Sequence, residues 1–267
     1  MMQGSREPLA VVLITGASMG IGRALACAFA GMGHHLLLVA RSDETLAELA
    51  ETLHRKHGVT VFCCPGDLVA HESAQRISDY CLEHVLAVEV LVNCAGLSRA
   101  SDFKDLAFGE LEGIMAVNMS AAVRLTRLFL PGMVEKKKGT IINIASLAGT
   151  QGVPGLALYS ATKSFLITLS EALHVELQGT GVKVVAVCPG FVDTGFLEKA
   201  MHNRRKIRLP VYGSDLVVQA VLRGYRKNRM RVYPTFLDYL LVFLQRFTPR
   251  ILVVKITDFL AAARERQ

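Results

Sequence analysis

Short apolar runs alternate along the chain with longer stretches whose apolar residues recur every three or four positions. The runs fall at 9–15 (LAVVLIT), 35–40 (HLLLVA), 59–64 (VTVFCC), 88–93 (VEVLVN), 139–145 (GTIINIA) and 182–188 (VKVVAVC). Their nearly continuous apolar character predicts strands covered on both faces, as in a parallel sheet held between helix layers. The stretches 42–58, 71–85 and 108–138 carry helical patterns, and Pro131 inside the third leaves its end open. Strand–helix alternation of this kind predicts right-handed crossovers in an α/β, doubly wound parallel sheet. Ligands of such sheets sit beyond the C-terminal strand ends, so chemistry is expected there.

After Phe191 the pattern loosens. A helix is expected over 214–229 with Ser214 as its N-cap, then a short strand over 230–234 closed by Pro234. The tail at 236–260 is strongly apolar, but Asp238, Gln245, Arg246, Pro249 and Arg250 interrupt it. A spanning helix needs about 20 mostly apolar residues, so the tail reads instead as two helices, before and after Pro249. A lid, an oligomer contact, an interfacial anchor and plain packing onto the domain all fit such a pair. No repeat or linker divides the 267 residues, so one domain over 1–267 is expected, with 198–267 its substrate loop and helical extension.

Composition adds a compartment and a charge asymmetry. The 51% hydrophobic and 20% charged content describes a well-buried core. The six cysteines form no CxxC pair and no spaced metal-ligand set; most read as small buried apolar residues in a reducing compartment. Residues 1–8 are polar and carry no signal-peptide pattern, which makes a cytoplasmic location the expectation. The net charge of +7 is uneven, because residues 199–267 hold 15 of the 30 Lys/Arg and only 4 of the 23 Asp/Glu. Such a segment suits an anionic partner (a membrane surface, nucleic acid or a phosphorylated ligand), or it is a solvated basic face.

The first strand runs directly into TGASMGIG at 15–22. Gly16 permits the tight turn, Gly20 lets a phosphate approach the backbone, and Gly22 allows close helix–strand packing. The following helix offers unpaired amides and a positive dipole end to a pyrophosphate. At the end of the second strand Ala40 stands where an acid would bind the free ribose of NAD, and Arg41 follows. A guanidinium pairs with a 2′-phosphate through two parallel hydrogen bonds, with Ser18 as a helper, so NADP(H) is favoured and NAD(H) stays open. In YSATK at 159–163, Lys163 lies one helical turn after Tyr159 on the same face. Its positive charge, with that of an oxidised nicotinamide, is expected to lower the phenol pKa from about 10. Ser146 ends the fifth strand, where its hydroxyl can hold a substrate oxygen.

Taken in order, TGASMGIG, GD at 66–67, NCAG at 93–96, VN ending at Asn118, NIAS ending at Ser146, YSATK, and CPGFVDT at 188–194 form a specific set. Over 9–197 the chain resembles the classical short-chain dehydrogenase/reductase family. Its middle is most similar to the branch of 17β-hydroxysteroid and long-chain 3-ketoacyl reductases, and equally to bacterial relatives of unassigned substrate. Cys94 departs from the family's usual Asn-Asn-Ala-Gly.

The resemblance implies a Rossmann fold, three-layer α/β/α, and NADP(H)-dependent hydride transfer at a carbonyl or secondary alcohol of an apolar, steroid-, acyl- or lipid-like molecule. It implies Tyr159 as acid/base, Lys163 as its activator and ribose partner, Ser146 as holder of the substrate oxygen, and Asn118 as support for a water in a proton relay. The cofactor would further meet Ile21 in the glycine turn, Asp67 and the Leu68 backbone at the adenine, Asn93 and Ala95 by backbone, and Val192 and Thr194 at the carboxamide. Asp67 could instead be a turn former. Leu97, Leu147, Val153, Pro154, Phe191, Phe196 and Leu197 would wall the substrate. The resemblance also implies a homodimer or homotetramer without nucleic acid, with peripheral membrane contact through the basic, apolar C-terminus left open. The competing reading is a non-catalytic NADP(H)-binding regulator or scaffold.

Overall fold

The computed structural model describes residues 7–263; the polar start at 1–6 and the end at 264–267 lie outside them. Among the described residues nine strands form: β1 (Leu9–Thr15), β2 (His35–Ala40), β3 (Val61–Pro65), β4 (Leu86–Asn93), β5 (Gly139–Ile144), β6 (Val182–Val187), β7 (Phe191–Val192), β8 (Val211–Tyr212) and β9 (Arg231–Val232). Seven of them make one parallel sheet in the order β3-β2-β1-β4-β5-β6-β9, and β7 pairs with β8 beside it.

Alternate residues of each strand feed different cores, which is why the runs read as uniformly apolar. Val12 and Ile14 of β1 and Leu36 and Leu38 of β2 pack with helices α1 (Gly20–Gly31) and α2 (Asp43–His57). Val11, Leu13, Leu37 and Val39 point to the other face, under α3 (Ser73–Glu83), α5 (Ala122–Glu135) and α6 (Ala157–Glu176). The result is the expected three-layer, doubly wound Rossmann sheet. Strand order reverses between β1 and β4, the place where such sheets bind ligands.

Local chemistry moves several boundaries from those the sequence predicts. The third strand starts at Val61, because the Thr60 amide bonds the His35 ring and Gly58 closes α2 in the left-handed region. The fourth begins earlier, at Leu86, and the last is only Arg231–Val232. Pro131 does not break its helix: α4 (Phe108–Met115) passes through a π-helical segment, Ala116–Ala121, into α5, which continues to Glu135. Pro131 is exposed, as is Arg127, whose carbonyl loses the bond a residue 131 amide would give. Ser214 is the first residue of α8 (Ser214–Lys227) and Gly213 takes the cap, since the Asp215 carboxylate folds over it and a side chain at 213 would meet that oxygen at 2.4 Å.

The tail forms two helices as expected, α9 (Phe236–Leu244) and α10 (Arg250–Ala261), after the short α7 (Phe196–Lys199). Thr235 and Asp238 cap α9 reciprocally, and Pro249 caps α10. Among the described residues one helical stretch, Phe108–Glu135, is long and apolar enough to cross a membrane, and it packs into the fold. Of the cysteines, Cys64, Cys81 and Cys188 are buried, whereas Cys27 is exposed on α1.

Candidate active site

The C-terminal ends of β1, β2, β4, β5 and β6 open into one continuous cavity of about 490 Å³. At its floor the Thr15 hydroxyl donates to the Val92 carbonyl (3.3 Å) and accepts from the amides of Cys94 and Ala95 (3.0 Å each). This clip fixes the first turn to the end of β4. Gly16, at φ +68°, passes so close to that strand end that a Cβ would sit 2.9 Å from the Ala95 Cα. A Cβ on Gly22 would fall 2.2 Å from the Gly16 carbonyl oxygen, so this glycine guards the turn more than the helix–strand contact. Gly20 lies against Thr194, and Ser18 and Ile21 line the same wall. The side chain of Met19, the cap residue of α1, accepts from Lys199 Nζ (2.9 Å) and caps no helix amide, so the first amides of the helix are left for a ligand.

At the far end Ala40, Arg41, Gly66, Asp67 and Leu68 line the cavity. Arg41 is exposed and has no carboxylate partner among the described residues. Asp67 accepts from the Val69 amide (3.0 Å), so it shapes its turn and borders the cavity at once. Ala95 reaches the cavity, but Asn93 does not. The Asn93 amide points into the protein instead and donates to Asn143 Oδ1 (2.8 Å), whose own amide donates to Ser170 (2.8 Å).

Tyr159, Lys163 and Ser146 converge on the middle of the cavity. Lys163 is 4% exposed; its Nζ donates to the Ile144 carbonyl (2.8 Å) and lies 5.7 Å from the centre of the Tyr159 ring. Burial lowers the Lys163 pKa from 10.5 to about 8, and the nearby Cys94 and Cys188 oppose that shift. Burial also pushes the Tyr159 phenol up to about 12, against the facing Ser146 hydroxyl. The sequence-based expectation of a lowered phenol pKa is therefore reversed in the protein by itself, because loss of water, reinforced by Cys94, outweighs the Ser146 hydroxyl. Ser146 Oγ accepts from the Ala148 amide (3.1 Å), so the same hydroxyl caps a short helical turn.

Asn118 sits behind this group in the π-helical segment and does not line the cavity. Its side chain accepts from the Leu97 amide (2.8 Å) and donates to the Leu97 carbonyl (2.9 Å) and Thr162 Oγ1 (3.0 Å). It thereby locks the loop after β4 to α6. Gly96, named in a motif but not among the expected contacts, leaves room here: a Cβ on it would meet Lys163 Nζ at 3.5 Å.

Beyond Tyr159 the wall turns apolar. Leu97, Leu147, Val153, Phe191, Phe196 and Leu197 border the cavity as expected, and Pro154 does not. Val192 at the end of β7 and Thr194 just after it lie nearby. The far wall comes from the tail: Leu241 and Val242 on α9 with Val253, Ile256 and Leu260 on α10. Two buried polar ties hold this wall. His202 bonds the Ala261 carbonyl (2.8 Å), and Tyr212 accepts from the Gly190 amide (2.7 Å) while donating to Asp238 of α9 (2.8 Å). The tail thus works as a cavity wall. The sequence does not reveal this, because α9 (FLDYLLVFL) is apolar nearly all round and marks no inner face.

Residues 10–205 match the short chain dehydrogenase family. The chain belongs to that family. It is 38% identical to the ketoacyl reductase HetN of Nostoc sp. over 79% of this chain and 74% of that protein. It is 31% identical to human epidermal retinol dehydrogenase 2 over 94% of this chain and 82% of that protein. Among solved structures it superposes on a short-chain dehydrogenase from Sphingobium yanoikuyae in complex with NADPH, with a TM-score of 0.80 and 32% identity over 90% of this chain and 94% of that one. Another matched structure of the family is a complex with NAD. This short-chain dehydrogenase is therefore an oxidoreductase of the hydride-transfer type that uses a nicotinamide cofactor.

Proposed function

We propose that the protein is an NADP(H)-dependent reductase of hydrophobic ketones, interconverting the carbonyl and secondary alcohol of a steroid-, acyl- or lipid-like molecule. The observation that carries this reading is the convergence of Ser146, Tyr159 and Lys163 on one cavity whose far side is apolar. A regulator that only bound the dinucleotide would need the glycine turn but no such trio.

The residues fit a dinucleotide. The glycine turn keeps its tight shape because a Cβ at 16 or 22 would collide with backbone, and Gly66, Asp67 and Leu68 border the adenine end. Arg41, without a carboxylate partner and with no acid at position 40, supports NADP(H) over NAD(H). When bound, the nicotinamide supplies or accepts the hydride. The chain's own part is the oxygen. Ser146 Oγ holds the substrate oxygen while the Tyr159 hydroxyl gives it a proton as negative charge develops there. With its pKa at about 12 the phenol is protonated at neutral pH, which suits the reductive direction. Lys163, charged below about 8, stabilises the phenolate that forms and reaches the ribose side. The Asn118 side chain is occupied by Leu97 and Thr162, so its share of a proton relay falls to the backbone of the π-helical segment.

The names of relatives, ketoacyl reductase and retinol dehydrogenase, support the apolar substrate class. Phe108, Met115 and Val123, exposed apolar residues along the α4–α5 stretch, support assembly as a homodimer or homotetramer through that face. The test is NADPH oxidation with a graded panel of ketones from short and soluble to long-chain, run on the wild type and on Tyr159→Phe. Turnover should rise with chain length and vanish in the variant. Absence of turnover across the panel returns the protein to the class of binding modules.

A further inference from the structure

The two tail helices also present an apolar surface to solvent. Phe236, Tyr239 and Phe243 of α9 and Phe247 in the short helical turn after it form an unbroken row of rings, with successive centroids 6.4, 6.1 and 5.5 Å apart. Phe236 and Phe247 are 76% and 73% exposed, and Ile251, Leu252 and Phe259 continue the surface on α10. Cations lie among these rings. The Arg246 guanidinium sits 6.0 Å from the Phe243 ring, and that of Arg208 lies 4.1 Å from Phe259. Arg250 and Lys255 are exposed on the same helix as Phe259.

We infer that this surface docks on an anionic lipid bilayer, with α9 and α10 lying in its interface and the cavity mouth facing the acyl chains. Three features choose that partner. Aromatic rings mixed with arginines and lysines match the boundary between headgroups and hydrocarbon, where apolar burial and attraction to anionic lipid act together. A second copy of the chain would bring like charges face to face, which charge complementarity disfavours. The same helices also wall the cavity: Leu244 and Ile256 are about half exposed and border it too, so the apolar path runs from the outer surface to the site. At 9 and 12 residues, α9 and α10 are far short of the roughly 20 a spanning helix needs, so the contact is peripheral. The inference rests on the apolar-ketone reading and deepens it, since a substrate dissolved in the bilayer would enter without crossing water.

The experiment is co-sedimentation of the full chain with vesicles of phosphatidylcholine plus phosphatidylserine, and with phosphatidylcholine alone. The protein should pellet with the anionic vesicles, less so in high salt and far less on the neutral ones. Phe236→Ser with Phe247→Ser should lower partitioning by about tenfold or more, since burying one phenyl is worth a factor of that order. Turnover of a short, soluble ketone in that variant should match the wild type, because neither ring lines the cavity. Should this pair fail to fold, Arg246→Glu with Lys255→Glu must abolish the preference for anionic vesicles. Wild-type protein left in the supernatant with both vesicles overturns the inference. So does an oligomer that sedimentation velocity finds in the wild type and absent from the phenylalanine variant, which assigns the surface to a second copy. Vesicle binding without turnover on any ketone would instead overturn the enzymatic reading and leave the surface standing.

Discussion

Lys163 sits where folding would rather have no charge. Its ammonium is buried, and among the described residues its hydrogen bond goes to the Ile144 carbonyl. The gap between the ordinary lysine value of 10.5 and about 8 corresponds to about 3 kcal/mol of lost stability at neutral pH. Lys163→Met removes that cost but strands the Ile144 carbonyl, at about 1–2 kcal/mol. The variant should therefore be more stable than the wild type by about 1–2 kcal/mol at pH 7 while losing turnover.

The sign with pH follows from proton uptake. Between about 8 and 10.5 the unfolded chain holds the Lys163 proton more often than the native one, so wild-type stability gains as pH rises through that window. Tyr159 is common to both proteins and largely drops out of the difference. Urea unfolding followed by circular dichroism at pH 7 and pH 10 should show the variant's advantage falling by about 2 kcal/mol. A difference that does not move with pH, or a variant less stable at pH 7, would refute the view that burial of the lysine charge is a cost borne for chemistry.

Two further substitutions test the cofactor end. Arg41→Ala should weaken NADPH by about 10- to 100-fold in calorimetric titration, the worth of a charged bidentate contact, and barely alter NADH; equal losses would remove the 2′-phosphate assignment. Gly22→Ala places a methyl group 2.2 Å from the Gly16 carbonyl oxygen, so the turn must shift. It should lower stability by about 1–3 kcal/mol and reduce affinity for both dinucleotides together, and an unchanged melting temperature with unchanged binding would contradict the packing argument.

The strands were legible because two-sided burial writes itself as continuous apolar runs, and β1 and β2 match those runs residue for residue. The third strand reads two residues too early in the sequence because Val59 is apolar and buried, yet it follows directly on the Gly58 cap of α2. The sequence leaves the helix end at Pro131 open, and packing carries α5 on to Glu135, since an exposed proline near a helix end removes one hydrogen bond without ending the helix. At the site, the glycine turn, Ser146, Tyr159 and Lys163 could be read from motif and spacing. The Thr15 clip, the Asn118 lock on Leu97 and the inward turn of Asn93 could not, because each depends on partners from about 20 to 80 residues away. The pKa of Tyr159 lay beyond sequence for the same reason: spacing gives the lysine, and only packing gives the loss of water.

The central claim is that Tyr159 delivers the proton in a dinucleotide-dependent reduction. Its most direct measurement is single-turnover NADPH oxidation by Tyr159→Phe with an apolar ketone, beside NADPH binding by the same variant. The account predicts a loss of at least about 100-fold in rate, the usual weight of a positioned acid, with binding essentially unchanged. A variant that turns over near the wild-type rate, or one that fails because it no longer binds NADPH, would contradict it.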